Sequence, residues 1–554
     1  MKAFADLIDA LTLTPSRNGK LRLMVEHFET QPDPERGLAL AAITRDLDIR
    51  SVKPAMLRDL MKDRIDPELF RFSYDYVGDL AETISLVWPG PNDGGTGDGA
   101  LEPTLSEVVG RLNGATRQAG PKLVEAWLDQ LDSSGRYALL KLVTGAMRIG
   151  VSSRLAKQAL ADFGGQDVAE IEELWHGLTV PYEDLFAWLE GRGDKPVSAA
   201  KAPFRPVMLS TPLEESDYGI IRPAEYAAEW KWDGIRVQAS CDRGVARLYS
   251  RTGDDISGAF PDLMDFMTFE GTLDGELLVA TPTTERSGKP KVEGHAGTRR
   301  DDIVVGTFSD LQQRLNRKTV SAAMLKRFPV FLRAYDLLFE DGEDLRALSF
   351  AERRKRLDRF ADTLEPTRFD VSPFVPFETF EDLAAYRKNP PHAVIEGLML
   401  KRHDSTYVPG RPKGPWFKWK QDPYLVDAVL MYAQRGHGKR SSFYSDYTFG
   451  VWTGEADAPE LVPVGKAYFG FTDEELKQID KYVRDNTIER FGPVRSVRAE
   501  PDHGLVIEVA FEGLQRSLRH KSGVAMRFPR VSRLRWDKPA AEADRLETLQ
   551  AMLD

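Results

Sequence analysis

The sequence predicts a multidomain protein with an all-α N-terminal region, an α+β core built on antiparallel sheet, and a small all-β barrel towards the C-terminal end. Three observations predict it. Apolar residues recur at helical spacing in the first 200 residues, short alternating apolar runs follow, and from about Gln421 the strands are brief and separated by glycine turns. With 554 residues, 42% of them hydrophobic, the chain suits roughly two to four domains, each able to bury its own core.

Residues 1–200 read as helical because Phe4, Leu7, Ile8 and Leu11 share one helical face, as do Leu139, Leu140, Leu142 and Val143 before Met147. Pro89 to Gly99, with its Gly-Gly-Thr-Gly run, reads as an inter-helix loop. It is not a phosphate cradle, since no clear strand precedes it and no helix follows. Gly191 to Pro206, rich in Gly, Pro, Ala and Lys, reads as a linker. Residues 201–420 carry the alternating runs, and Ser349-Phe350-Ala351-Glu352 is a capping box ahead of a helix over Arg353 to Phe360. Thr281 to Arg300 is polar and reads as a surface excursion. In residues 421–554, Leu430 to Ala433 and Phe449 to Trp452 are representative strands of a barrel of the OB type, closed by a helical tail over Ala540 to Leu553.

Composition narrows the functional classes. The single cysteine, Cys241, excludes a disulfide framework and a four-cysteine zinc module, and fits a reducing compartment. No run approaches the ~18 apolar residues of a membrane span. Asp6 and Asp9 interrupt any signal-peptide core, so a cytoplasmic protein is expected. The net charge of −11 argues against a nucleic-acid partner, but local patches argue for one: residues 411–420 carry four cations and no acid, and 515–538 carry eight cations against Asp537 alone.

The most informative stretch is Glu229-Trp-Lys-Trp-Asp-Gly-Ile-Arg236. A lysine nucleophile at neutral pH needs partial desolvation and nearby positive charge or metal to lower its pKa. Trp230 and Trp232 can wall Lys231, Gly234 permits a tight backbone approach, and Arg236 can grip an anionic oxygen. Alone, Lys-x-Asp-Gly equally suits an exposed turn. Further pieces follow in order: Ser250-Arg251-Thr252-Gly253, Asp274-Gly275-Glu276, Tyr335-Asp336-Leu337-Leu338, Glu396-Gly-Leu-Met-Leu-Lys401, Trp416-Phe-Lys-Trp-Lys420, and Arg527-Phe-Pro-Arg530 running on to Arg533-Leu-Arg-Trp-Asp-Lys538.

This ordered set, spanning residues 229 to 538, resembles the ATP-dependent DNA ligases of the covalent nucleotidyltransferase superfamily. The resemblance implies a helical DNA-binding domain (1–200), an adenylation domain (201–420) and an OB-fold domain with its tail (421–554). It implies that Lys231 is the catalytic nucleophile, taking AMP from ATP as a lysyl-AMP phosphoramidate and passing it to the 5′-phosphate of a nick, where the 3′-hydroxyl then displaces it. Such an enzyme serves DNA repair, replication or recombination.

Other roles follow residue by residue from the same likeness. Glu229 would recognise the adenine amine, and Tyr335 would stack on the base where relatives usually carry phenylalanine. Glu276 would bind the ribose and help hold metal. Arg236 and Arg251 would contact ribose or phosphate, with a structural ion pair as the alternative for each. Glu396 would ligate Mg²⁺. Lys418 and Lys420, which alternate with Phe417 and Trp419, would meet the α-phosphate. Relatives commonly carry an arginine at the position of Pro412, which leaves Arg411 or Lys413 to supply that contact.

Arg535 and Lys538 would reach ATP during lysine adenylation, the barrel swinging about Gln421-Asp422. Lys141, Arg148, Arg154 and Lys157, around Leu142 to Val151, resemble a DNA-contacting segment, with Arg148, Arg154 and Lys157 the candidate DNA contacts; an ordinary solvated face is the alternative. ATP and Mg²⁺ are the implied cofactors. The implied partners are nicked duplex DNA and, in repair, a helicase, nuclease or clamp, with no membrane and with the protein acting as a monomer in the bacterial cytoplasm or nucleoid.

Two rivals share parts of the pattern: an RNA ligase or capping-type guanylyltransferase, and a DNA-binding protein with a decayed site. The absence of Gly-x4-Gly-Lys-Ser/Thr disfavours a P-loop ATPase, and the missing cysteines disfavour an NAD-dependent ligase.

Overall fold

The computed structural model describes the whole chain except residues 63, 90–101, 146, 198–200, 219–220, 283–302, 316, 318, 436–443, 456–457, 469, 471, 493, 518–519 and 554. The glycine-rich loop expected at Pro89 to Gly99 and most of the excursion at Thr281 to Arg300 lie outside the described residues. Two compact units form: residues 1–159 with 422–554, and residues 160–421. Among the described residues no helix is long and apolar enough to cross a membrane.

The N-terminal region is helical, as its spacing requires. The first helix, Lys2–Leu13, buries Phe4, Leu7, Ile8 and Leu11, and Ser133–Thr144 buries Leu139, Leu140, Leu142 and Val143. Lys141 also lies inside, donating to Asp79 Oδ2 at 2.5 Å, and so has no solvated face to offer. Arg148 and Arg154 are exposed, but Lys157 is only 6% exposed. Its proposed DNA contact is therefore corrected, because a buried ammonium cannot reach a phosphate backbone without leaving its site.

The 160–421 unit holds two antiparallel-rich sheets. Its central strands are β1 (Tyr226–Trp232), β2 (Ile235–Asp242), β3 (Val245–Ser250), β4 (Gly271–Pro282), β5 (Val330–Glu340), β6 (Ile395–Arg402) and β7 (Trp416–Lys420). One sheet places β6 between β7 and β1, and the other runs β3-β2-β4-β5. Each buries a face of its own: Val237, Ala239, Leu273, Leu277 and Leu332 in one core, and Trp230, Trp232, Leu398, Leu400 and Phe417 in the other. The helix Phe350–Phe360 starts where the capping box required, with Ser349 and Glu352 satisfying each other's backbone N–H. The linker expected over Gly191 to Pro206 is packed from Ala202 onward: Ala202 and Phe204 are buried, and Arg205 N donates to Gln238 Oε1 at 2.6 Å.

In the barrel region the long strand Tyr424–Arg435 pairs with Tyr444–Thr453, Val494–Val497 and Val506–Phe511, bending at irregularities after Leu430 and Gln434. Its core gathers Val426, Leu430, Phe449, Val451, Ile507 and Val509, with Leu549 of the tail buried among them. The arrangement is OB-like.

One backbone feature positions the site. The register of β6 against β1 shifts between Ile395 and Gly397, and Gly397 adopts φ +148°. A Cβ there would meet Trp419 O at 2.2 Å. Gly397→Ala should therefore lower the unfolding temperature of the 160–421 unit and cost about 3 kcal/mol; calorimetry showing an unchanged transition would contradict the bulge's role.

Candidate active site

Strand alternation sorts the octapeptide. Trp230 and Trp232 enter the apolar core, so Glu229 and Lys231 share the opposite face. The tryptophans do not wall the lysine; they anchor its strand from behind. By strict alternation Glu396 would follow Leu398 and Leu400 into that core. The bulge turns it to the lysine's side, where Glu396 Oε2 stands 2.8 Å from Lys231 Nζ and 3.5 Å from Lys420 Nζ. Gly234 makes the tight approach expected of it, since a Cβ there would meet Leu277 O at 2.4 Å.

Charge is dense around this pair. Burial works against the Lys231 ammonium, but Glu396 and then Glu276 outweigh it and hold the lysine above its ordinary pKa. The nearest partner of Lys231 here is an anion, Glu396. Burial likewise opposes the Glu396 carboxylate, and Lys231 keeps it well below the usual range. Glu276 behaves oppositely: burial, reinforced by Glu396 and Asp233 against the pull of Lys231 and Arg236, pushes it up to about 8.

Cations line the other side. β7 shows the predicted alternation, with Phe417 and Trp419 buried and Lys418 and Lys420 half-buried on the opposite face. Lys418 is shifted down by burial and by Arg411, Lys420, Lys231 and Arg251. Arg251 is shifted down by burial, Arg236 and Arg411. Positive charge from Arg411, Lys420, Lys231 and Arg251 thus acts together on Lys418. Arg411 is among the charges acting on both Lys418 and Arg251.

Arg236 is committed elsewhere. Its guanidinium forks onto the fully buried Asp274 at 3.0 and 2.6 Å, donates to Met208 O at 2.7 Å and to Tyr407 Oη at 3.1 Å, and Tyr407 in turn donates to Asp274 at 2.6 Å. The structural ion pair weighed for it is the arrangement observed. Glu229, 2% exposed, accepts from Arg354 Nη1 at 3.2 Å and from Lys401 Nζ at 3.0 Å. Tyr335 is half-buried at this end of the site, with Lys401 Nζ 4.4 Å from its ring centre. Asp274, Tyr407, Arg354 and Lys401 received no role from the sequence. The one available signal was the pair of charges, Glu396 and Lys401, bracketing the apolar Gly-Leu-Met-Leu run.

In the barrel region Arg535 and Lys538 converge on Asp427 Oδ2 at 3.2 and 2.8 Å, and Arg535 also pairs with Asp537 at 3.0 Å.

A family model described as the ATP dependent DNA ligase domain matches residues 207–420, and one for the ATP dependent DNA ligase C terminal region matches residues 440–538. A probable DNA ligase of Koribacter versatilis (strain Ellin345) is 30% identical, over 99% of this chain and 95% of its own length. The chain belongs to the ATP-dependent DNA ligase family. DNA ligase 1 of Korarchaeum cryptofilum is 28% identical to this ligase, over all of its chain and 98% of the relative. A solved structure titled Pmar-Lig_PreS3 shares the fold with a TM-score of 0.54 at 14% identity, covering 96% of the ligase and 99% of that chain. The ligase is therefore an ATP-dependent enzyme that joins DNA.

The donor set suits a hard cation, since the nearby donors are carboxylate oxygens. Glu396 Oε2 is buried without an aligned hydrogen bond, and burial beside Glu396 raises Glu276 despite the pull of Lys231 and Arg236. The raised Glu276 has a consequence for stability. The folded ligase keeps a proton that the unfolded chain releases, so its stability falls as pH rises from about 4.5 to about 8. Glu276→Gln should be more stable than wild type at about pH 8.5, by on the order of 2 kcal/mol, with the gain vanishing towards pH 5. Thermal unfolding of both proteins across that range checks it; parallel curves would refute the buried-carboxyl assignment.

Proposed function

We propose that this ligase seals 5′-phosphate/3′-hydroxyl nicks in duplex DNA through a lysyl-AMP intermediate on Lys231. The observation that carries the reading is one strand face presenting Glu229 and Lys231 two residues apart, with Lys418 and Lys420 in register with them across β6. ATP carries base, α-phosphate and leaving pyrophosphate in a line, and this face offers an acceptor, a nucleophile and cations for them. Mg²⁺ held by Glu276 and Glu396 would supply countercharge to the phosphates.

Lys231 attacks only as the neutral amine, so it must lose its proton and Glu396 must be drawn away from Nζ. The Nζ–Pα bond then forms as the bond from Pα to pyrophosphate breaks. Lys418, on the same face of β7 as Lys420, is placed to take the charge that grows on the α-phosphate oxygens. AMP next passes to the 5′-phosphate of the nick, which breaks the N–P bond and restores the lysine. The 3′-hydroxyl finally displaces AMP. Arg535 and Lys538 act in the first step only, exchanging Asp427 for the nucleotide's phosphates, with Gln421-Asp422 as the hinge between adenylation and OB domains. Arg148 and Arg154 are the remaining candidates for duplex contacts, and Arg251 can receive the nick phosphate.

The adduct tests the reading directly. ATP-treated wild type should gain an acid-labile AMP on Lys231, Lys231→Ala should gain none, and sealing of a 5′-phosphorylated nick should vanish with it. A mass spectrum placing the nucleotide on another side chain would refute the mechanism. Arg411 and Lys413 separate in the same assay. Arg411→Ala should slow lysine adenylation by about tenfold or more, as loss of a charged phosphate contact does, while Lys413→Ala stays near wild type. Equal effects would return the Pro412 question to open.

A further inference from the structure

Glu229 is held by two cations from different elements. Lys401 comes from β6 and reaches Oε2 at 3.0 Å; Arg354 comes from the helix Phe350–Phe360 and reaches Oε1 at 3.2 Å. Lys401 is 1% exposed, and its ammonium also lies over the rings of Tyr335, Trp416 and Phe350, 4.4, 4.8 and 5.1 Å from their centres. Arg354 is itself pinned, donating to Asp358 Oδ1 at 2.9 Å and Ser372 O at 2.7 Å, with its guanidinium 4.0 Å over the Phe374 ring. Such investment on one carboxylate is not needed to fold β1, whose backbone is already fixed by its pairing with β6 and with Phe374–Val375.

The chemistry of the carboxyl explains it. An ionised carboxylate only accepts hydrogen bonds, whereas a protonated one can also donate. A 6-amino purine offers a donor at that edge and a 6-oxo purine offers an acceptor. We infer that Lys401 and Arg354 are positioning residues that hold the Glu229 side chain in one orientation, its oxygens presented as acceptors, and so set the ligase's preference for ATP over 6-oxo purine nucleotides. The inference rests on the proposed reading of Glu229 as the base-edge contact. Lys401 links that edge to Tyr335, the proposed stacking ring, because one ammonium touches both. The other acids that act on Lys401 are Asp336 and Asp274. Asp336 is forked by Arg353 and Asp274 by Arg236, which leaves Glu229 as the carboxylate that Lys401 meets directly.

The test is charging of Lys231 by labelled ATP against labelled ITP, read as the ratio of kcat/KM. Lys401→Met should lower the preference for ATP by at least about tenfold, the loss of one charged hydrogen bond. The change should lie in KM for ATP, with kcat for charging near wild type, and Lys401→Arg should recover most of it. Lys401→Gln, which keeps a donor without the charge, should lose preference like Lys401→Met. If Lys401→Met does not accumulate as folded protein, the Gln variant carries the test. An unchanged ratio in either folded variant overturns the inference. Glu229→Gln separates the two layers: an unchanged ratio there sinks the reading of Glu229 itself, whereas a changed ratio beside unaltered Lys401 variants sinks only the positioning role.

Discussion

The contact between Lys231 Nζ and Glu396 Oε2 is the constraint on which the site depends. It exists because a bulge at Gly397 rotates one carboxylate out of an apolar face and into reach of the lysine on the neighbouring strand. Without the bulge, Glu396 would lie beside Leu398 and Leu400, where an ionised carboxylate is prohibitively costly. With it, Lys231 is an ammonium paired to an acid. The surrounding cations Lys420, Lys418, Arg411 and Arg251 give the pocket a positive excess that a polyphosphate can neutralise, so substrate binding and release of the lysine draw on the same charges.

Around that pair the scaffold is stiffened by buried ion pairs of a different character. Arg353 and Asp336 are both fully buried and bound through two hydrogen bonds of 2.8 and 3.0 Å; Arg236, Asp274 and Tyr407 form a closed triangle. Buried pairs contribute little net stability, because desolvation offsets the attraction, yet breaking one leaves an uncompensated charge. Their value here is positional. Each ties β5 or β4 to a distant segment, and so fixes the strands that carry Tyr335 and Glu276 without drawing on the apolar cores.

What the sequence disclosed and what it concealed divide along range. The capping box at Ser349 and Glu352, the alternation of β7, the helical spacing of residues 4–11 and the close approach at Gly234 depend on neighbours within a few positions, and all were legible. The orientation of Trp230 and Trp232 was legible in principle. Period-two alternation puts them opposite Lys231, and reading them as its walls ignored the strand. Arg236 found its partner 38 residues away, and Glu229 found its partners 125 and 172 residues away. No local pattern encodes such pairings. The burial of Lys157 was hidden for the same reason, since an amphipathic helix shows which face is apolar but not how deep its edge will lie.

The C-terminal cations obey a different rule from those of the core. Arg535 and Lys538 share Asp427, and the second acid on Arg535, Asp537, is 69% exposed. The pairs on Asp427 are largely shielded, whereas Asp537 is open to solvent, so Arg535 is held by one sheltered partner and one exposed one. By contrast, Arg353 could not leave Asp336 without stranding a charge in the interior. The protein thus places its fully buried, doubly bonded pair under the strands of the candidate site, and shares one carboxylate between two partly shielded cations in the barrel region.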